Sequence, residues 1–396
     1  LFGWQIDEIY VRSDEGIHFA NAGSKNNMSS ENLLRRAGFL EGTYRLRETT
    51  RGEGIITLNA GSGEGFSSYV DFVEDDLPMT KEENRVGVGV HWAAEKTYDY
   101  FADAFKRNSF DDEGGIIVSY VDWRVGDAQN NAFWAGDFAA YGAGNGEGTR
   151  SWGSVDVVGH EVTHGLSQYS AGLIYQGESG ALNESFSDIF GTAVEFYAEG
   201  RDAGDWLIGE DIFTGNWALR SMKDPKTFSD PDTDQGDHWV DVTESGDNGG
   251  VHTNSGVQNY WFYLLSEGGE GTNDDYLDYQ VSGIGLEHAS ASAYGNLTLY
   301  LAPDSRYRDA ALYAVQSAED LFGKDSPQAR STLDAWDAVG IYLYPRLVSN
   351  KQALTYSTPA GRSDSLLITL TNEGMEALTF EEFQLTDAGN YSVTMD

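Results

Sequence analysis

The sequence predicts an α+β chain built from two unlike lobes, a β-rich one followed by a helical one, with a short all-β extension behind them. Three observations predict it. Up to about residue 152, apolar and polar residues mostly alternate between Gly-rich turns, the period of half-buried strands. From about residue 153, apolar residues recur at helical spacing in long runs separated by glycine or proline. After Tyr344 and Pro345 the period returns to that of strands. A chain of 396 residues is long enough for two or three domains, each with its own core.

The elements follow in order. Residues 1–40 are an N-terminal extension or the remnant of a pro-segment, ending in a polar loop over 21–30 and a short helical run, Glu31 to Ala37. The β-rich lobe, 41–152, has strands near Thr43–Thr49, Gly54–Asn59 and Ile116–Asp122, interrupted by a helix near Val88–Arg107. The helical lobe, 153–343, has helices over 154–168, 180–199, 252–267, 285–301, 307–323 and 327–338. Residues 344–396 carry alternating runs at Ser365–Thr371 and Ala377–Phe380, too short for an independent sandwich, so they read as part of one.

Composition removes several functions. Asp and Glu number 64 against 25 Lys and Arg, a net charge of −39, and no basic stripe offsets it, so nucleic acid is excluded as a partner. No apolar run reaches the ~18–20 residues of a membrane span. There is no cysteine, which rules out disulfides, thiol catalysis and thiolate metal sites. Interspersed carboxylates suit a solvated surface, cation binding or salty surroundings, and so an extracellular protein. The start lacks a basic segment followed by an apolar one, so any export signal is expected outside this sequence.

The chemistry is concentrated in Val157–Gly165, which contains H-E-x-x-H. On a helix, His160 and His164 share a face and offer two imidazoles to one metal. Glu161 points about 100° away and reaches a water without being a ligand. A catalytic zinc needs a third protein ligand, here His, Asp or Glu. Glu184 and Asp188, four apart on the next helix, supply a candidate ligand and an acceptor for the outer N–H of a ligand histidine.

Taken with Asn130–Trp134, Ala171–Glu184, Leu219–Met222 and Asp247–His252, in this order, the motif carries a family likeness. The sequence resembles the thermolysin family of secreted zinc endopeptidases over about residues 40–342. The resemblance implies a two-lobed peptidase with the active site between a β-rich and an α-helical lobe. It implies one zinc on His160, His164 and Glu184, with Asp188 and Asn183 supporting the ligands. Glu161 becomes the general base, Tyr175 and His252 oxyanion donors, and Asp247 the residue orienting His252. Asn131 and Ala132 would bind substrate backbone along an edge strand. Arg220 would hold a substrate carbonyl beside a pocket of Val157, Ile208, Ile212 and Leu219, giving a preference for a bulky apolar residue just after the cleaved bond. It further implies protein or peptide substrates, a pro-segment acting as inhibitor or chaperone, and a secreted monomer. The alternative is a non-catalytic binding or adhesion protein retaining the fold; intact Glu161, Tyr175 and His252 argue against it.

A structural calcium site is partly legible from helix geometry. Asp156 lies one turn before His160, and Glu195 lies eleven residues after Glu184. Eleven steps of 100° return to within about 20° of the start, so Glu195 shares the Glu184 face. If the two helices are antiparallel, Asp156 and Glu195 meet at one end, with Asp205, Glu210 and Asp211 nearby. The resemblance makes this a site for one or two Ca²⁺, with Asp156, Glu195, Asp205, Glu210 and the backbone of Leu207 as ligands. A second acidic stretch, Asp230–Gly236, begins like an EF-hand, but Gln235 takes the place of the turn glycine and no glutamate closes it, so it reads as an acidic loop.

Overall fold

The computed structural model describes residues 8–13, 16–21, 44–61, 69–74, 79, 81–243, 246–345, 347–349, 369–372 and 377. In the first lobe, β1 (Glu8–Ser13) and β2 (Gly16–Asn21) form a hairpin whose β1 pairs with β3 (Tyr44–Arg45), which in turn pairs with β7 (Val73–Glu74). A second sheet runs β4 (Arg47–Glu48), β5 (Ile55–Asn59), β8 (Ile117–Trp123), β10 (Ala139–Gly142) and β9 (Ala132–Trp134), with β6 (Val70–Asp71) also on β5. Strands β5, β8 and β10 are parallel, while β9 is antiparallel to β10 and ends the sheet. β8 alternates strictly between buried and half-buried residues, as its sequence period requires. Helix α1 (Arg85–Phe105) lays Val90, Ala93 and Ala94 on this sheet, against a core including Leu46, Ile55 and Val121.

The second lobe centres on α2 (Val155–Gln168) and α3 (Gly177–Glu199). Gly159 and Gly191 bring them together. A Cβ on Gly191 would stand 2.5 Å from the Asp156 carbonyl oxygen, and one on Gly159 would stand 3.0 Å from Gly191 Cα. No larger residue permits that approach, and it is this approach that sets the His160 face of α2 against α3. Around the pair lie α4 (Asp247–Asn254), α5 (Gly256–Glu267), α6 (Leu286–Gly295), α7 (Tyr307–Phe322) and α8 (Pro327–Ala338). The indoles of Trp261 and Trp336 stack at 4.7 Å and tie α5 to α8.

Several boundaries differ from the sequence reading. The run expected as one helix over 252–267 is two, joined at Ser255, and the first begins at Asp247. The helix expected over 285–301 ends at Gly295 and closes in a π-turn, Asn296–Tyr300. Two short hairpins, β11–β12 (Leu207–Ile208 with Arg220–Ser221) and β13–β14 (Gly269–Thr272 with Asp278–Val281), were not read from the sequence. In the tail, β15 (Leu347–Ser349) pairs with β16 (Leu370–Asn372). The expected helical run Glu31 to Ala37, and most of the strands expected over 365–371 and 377–380, lie outside the described residues. Among the described residues no helix is long and apolar enough to cross a membrane.

Candidate active site

The period of α2 places His160 and His164 one turn apart with their rings edge to face at 4.7 Å between centroids. The outer nitrogen of each is held. His160 Nδ1 donates to Asp188 Oδ1 at 2.8 Å, and His164 Nδ1 donates to Asn183 Oδ1 at 2.7 Å, with Ser187 Oγ 3.1 Å from the same nitrogen. Fixing Nδ1–H as the donor leaves each Nε2 facing inward. There each Nε2 stands 3.5 Å from an oxygen of Glu184. The three side chains have ligand atoms within 4.8 Å of one another, and Glu184 Oε2 is buried with no hydrogen-bond partner. Two inward imidazole nitrogens and an orphaned carboxylate oxygen are a donor set that fits zinc.

Burial disfavours the charged form of every group here, and neighbouring charges decide the outcome. Against burial, Asp188 and Glu184 raise His160 to about 10, whereas burial lowers His164 to about 4. For Glu184, His252 and the two imidazoles outweigh burial and hold the carboxyl well below its ordinary value. Glu161, one step round the helix and 5% exposed, has no such partners at bonding distance, so burial lifts it to about 7. That is the range in which a carboxylate both accepts and releases a proton near neutral pH.

Across from the pair, Tyr175 O–H donates to Glu184 Oε1 and lies 3.2 Å from His252 Nε2. His252 comes from α4, whose first turn is left-handed: Asp247, Asn248, Gly249 and Gly250 all have positive φ. A Cβ on Gly249 would stand 2.5 Å from the Val242 oxygen, so only glycine fits. This turn folds Asp247 back so that its carboxylate accepts from both the backbone N–H and Nδ1 of His252. Tyr175 and His252 are half exposed, toward the open side of the site.

These residues line a cavity of about 610 Å³, together with Asn131 and Ala132 at the start of β9 and with Val157, Ile208, Leu219 and Arg220. Ile212 departs from the expectation. It is fully buried and packs with Leu219 behind Gly209 instead of lining the cavity, whereas Trp152, which the sequence reading missed, does line it. Arg220 is clamped to Asp188 through Nε and Nη2, at 2.7 and 2.6 Å. Asn259, also unread from the sequence, donates from α5 to Asp188 Oδ2, the oxygen that also takes Arg220 Nε.

At one end of the α2–α3 pair, Asp156 and Glu195 are 2% and 5% exposed, with Asp205 and Glu210 close enough to repel them. Burial first, and then Asp156, push Glu195 up to about 11 and Glu210 to about 9. One carboxylate oxygen of each is buried without a partner. Asp156 accepts from the Gly209 N–H at 2.5 Å, and Asp205 from the Leu207 N–H at 2.6 Å; Leu207 itself offers only backbone oxygen. Buried carboxylates with unmet oxygens fit a hard cation such as Ca²⁺. The loop Asp230–Gly236 differs in kind. Lys226 Nζ sits 2.9 Å from Asp232 and 2.5 Å from Asp274, so an ammonium already bridges those two carboxylates.

Comparison with known proteins agrees with this geometry. Residues 21–168 match the thermolysin metallopeptidase catalytic domain and residues 171–341 the thermolysin metallopeptidase alpha-helical domain. The chain is 43% identical to a bacillolysin of Brevibacillus brevis over 308 residues, covering 76% of this chain and 53% of that protein. It is 41% identical to a thermolysin of Alicyclobacillus acidocaldarius over 306 residues, with the same coverage. The chain thus spans about half the length of the curated relatives it matches. Among solved structures it is similar to the precursor of protealysin, a metalloproteinase from Serratia proteamaculans, with a TM-score of 0.58 and 32% identity over 73% of this chain and 88% of that one. With both halves matched in order, and the two lobes and the His160, His164 and Glu184 cluster in place, the chain belongs to the thermolysin metallopeptidase family.

Proposed function

We propose that this chain is a secreted zinc endopeptidase that hydrolyses peptide bonds before bulky apolar residues. The observation that carries the proposal is the convergence of His160, His164 and Glu184 on one face of an open cavity that Glu161 also lines. Held by those three residues, zinc supplies Lewis-acid polarisation and makes water acidic enough to react near neutral pH.

The chain's own side chains do the rest. Substrate adds as a strand beside β9, its backbone held by Asn131 and Ala132. Arg220 Nη1, the nitrogen not used in the clamp on Asp188, donates to a substrate carbonyl. Glu161 takes a proton from the water that attacks the carbonyl carbon. As charge builds on the carbonyl oxygen, Tyr175 O–H and His252 Nε2–H donate to it. Burial and the neighbouring Glu184 keep the Tyr175 hydroxyl protonated, and Glu184 and Asp247 raise His252 against its burial. Glu161 then passes its proton to the nitrogen as the C–N bond breaks.

In this reading residues 41–152 and 153–343 form the body of the peptidase and 344–396 an addition; residues 1–40, expected as an extension, contribute at least β1 and β2 to the first lobe, and the catalytic-domain match begins at residue 21. Asp156, Glu195, Asp205, Glu210 and the Leu207 backbone hold one or two structural Ca²⁺. The protein is a monomer, released from a precursor whose pro-segment inhibits it; that the Serratia relative was solved as a precursor supports the existence of a precursor. The test is cleavage of casein or a quenched peptide with and without a chelator. Activity lost on chelation and restored by zinc is expected. Activity indifferent to the chelator overturns the proposal, and no activity in zinc-loaded protein favours the binding-protein alternative.

A further inference from the structure

The support behind His160 extends to a residue with no part in the roles above. Asp188, fully buried on α3, accepts four hydrogen bonds with two oxygens. Oδ1 takes His160 Nδ1 at 2.8 Å and Arg220 Nη2 at 2.6 Å, while Oδ2 takes Arg220 Nε at 2.7 Å and Asn259 Nδ2 at 2.8 Å. The Asn259 side chain is 1% exposed, in the first turn of α5, an element that supplies none of the other groups assigned above. A carboxylate only accepts, so the amide nitrogen must face Asp188, and Asn259 Oδ1 is then left buried with no partner among the described residues. A buried amide with an unmet oxygen destabilises a fold that an apolar residue would suit better. Its bond to Asp188 is therefore the contact that explains an asparagine there.

We propose that Asn259 is a positioning residue for the metal site, acting through Asp188 on His160; the proposal rests on the zinc reading above. Arg220 bridges both oxygens of Asp188 from one side. Asn259 holds Oδ2 from a second direction, so the carboxylate is fixed from two sides. Oδ1 then keeps its place on His160 Nδ1, and the rigid ring aims Nε2 at the ion. Loss of such an outer partner lowers metal affinity by about 10–100-fold.

The test is the zinc affinity of chelator-stripped protein, read by competition with a fluorescent zinc chelator, for the wild type, Asn259→Leu, Asp188→Asn and the double variant. Asn259→Leu should bind zinc at least ~10-fold more weakly. The double variant should bind no more weakly than Asp188→Asn alone, because Asn259 acts only through Asp188. Gln258→Leu, the neighbouring fully buried residue, should leave zinc affinity unchanged. Wild-type affinity in Asn259→Leu, or losses that multiply in the double variant, overturns the inference. Should Asn259→Leu fail to fold by circular dichroism, Asn259→Ser replaces it in the same cycle under the same rule. A wild type that takes up no zinc defeats the zinc reading itself, a different outcome from either.

Discussion

His160 Nε2 and His164 Nε2 face each other at 3.1 Å, with their outer nitrogens tied to Asp188 and Asn183. Two charged imidazoles cannot share that separation, and two neutral ones with Nδ1–H fixed would bring two lone pairs together. Both nitrogens therefore face one point that a single cation satisfies.

Ligand imidazoles bind metal deprotonated, so zinc uptake should release protons near neutral pH. Stripped protein titrated with zinc in weak buffer, with a pH indicator, measures it directly. Stoichiometric uptake with no proton release contradicts that expectation.

The carboxylates around Glu195 give a pH dependence of opposite character in the presence and absence of calcium. Glu195 and Glu210 are held at about 11 and about 9, above an unfolded value near 4.5, so the folded, calcium-free protein binds more protons than the unfolded chain. Its stability therefore falls as pH rises from about 5 toward 9. Calcium held at the proposed site would satisfy the ionised carboxylates and stabilise the fold by mass action. With zinc kept saturated, the gain in Tm on adding calcium should grow with pH and shrink strongly in Asp205→Ala/Glu210→Ala. A calcium effect equal in that variant and the wild type argues against the site.

The proposed specificity rests on Val157, Ile208 and Leu219, with Trp152 also lining the cavity. Cleavage should favour Leu, Ile, Val or Phe just after the cut bond, at a scale of ~1–3 kcal/mol per missing methylene. Trp152→Ala enlarges the pocket and should shift the preference toward Phe. Mass spectrometry of a digested proteome reads both, and a majority of cuts before Lys, Asp or Gly refutes the pocket.

What the sequence made legible was what helical periodicity controls. His160, Glu161 and His164 fall on their faces by local geometry, as do Glu184, Asp188 and Glu195, so the placement of these side chains follows from spacing. Asn259, Ser187 and Trp152 escaped because nothing local marks them: Asn259 and Trp152 reach the site by tertiary packing, and Ser187 shares its helix with two other serines, Ser179 and Ser185. Ile212 was misplaced for a related reason, since a short 3₁₀ turn from Glu210 to Ile212 rotates it inward. The start of α4 was missed because Asn248, Gly249 and Gly250 resemble a loop, and their left-handed turn is what lets Asp247 reach His252.

The most direct measurement of the central claim is the turnover of Glu161→Gln beside its zinc content. The substitution keeps shape and leaves His160, His164 and Glu184 untouched while removing the proton acceptor. The account predicts a kcat lower by at least ~10² with one zinc still bound. Wild-type turnover in that variant, at the same zinc content, would contradict it.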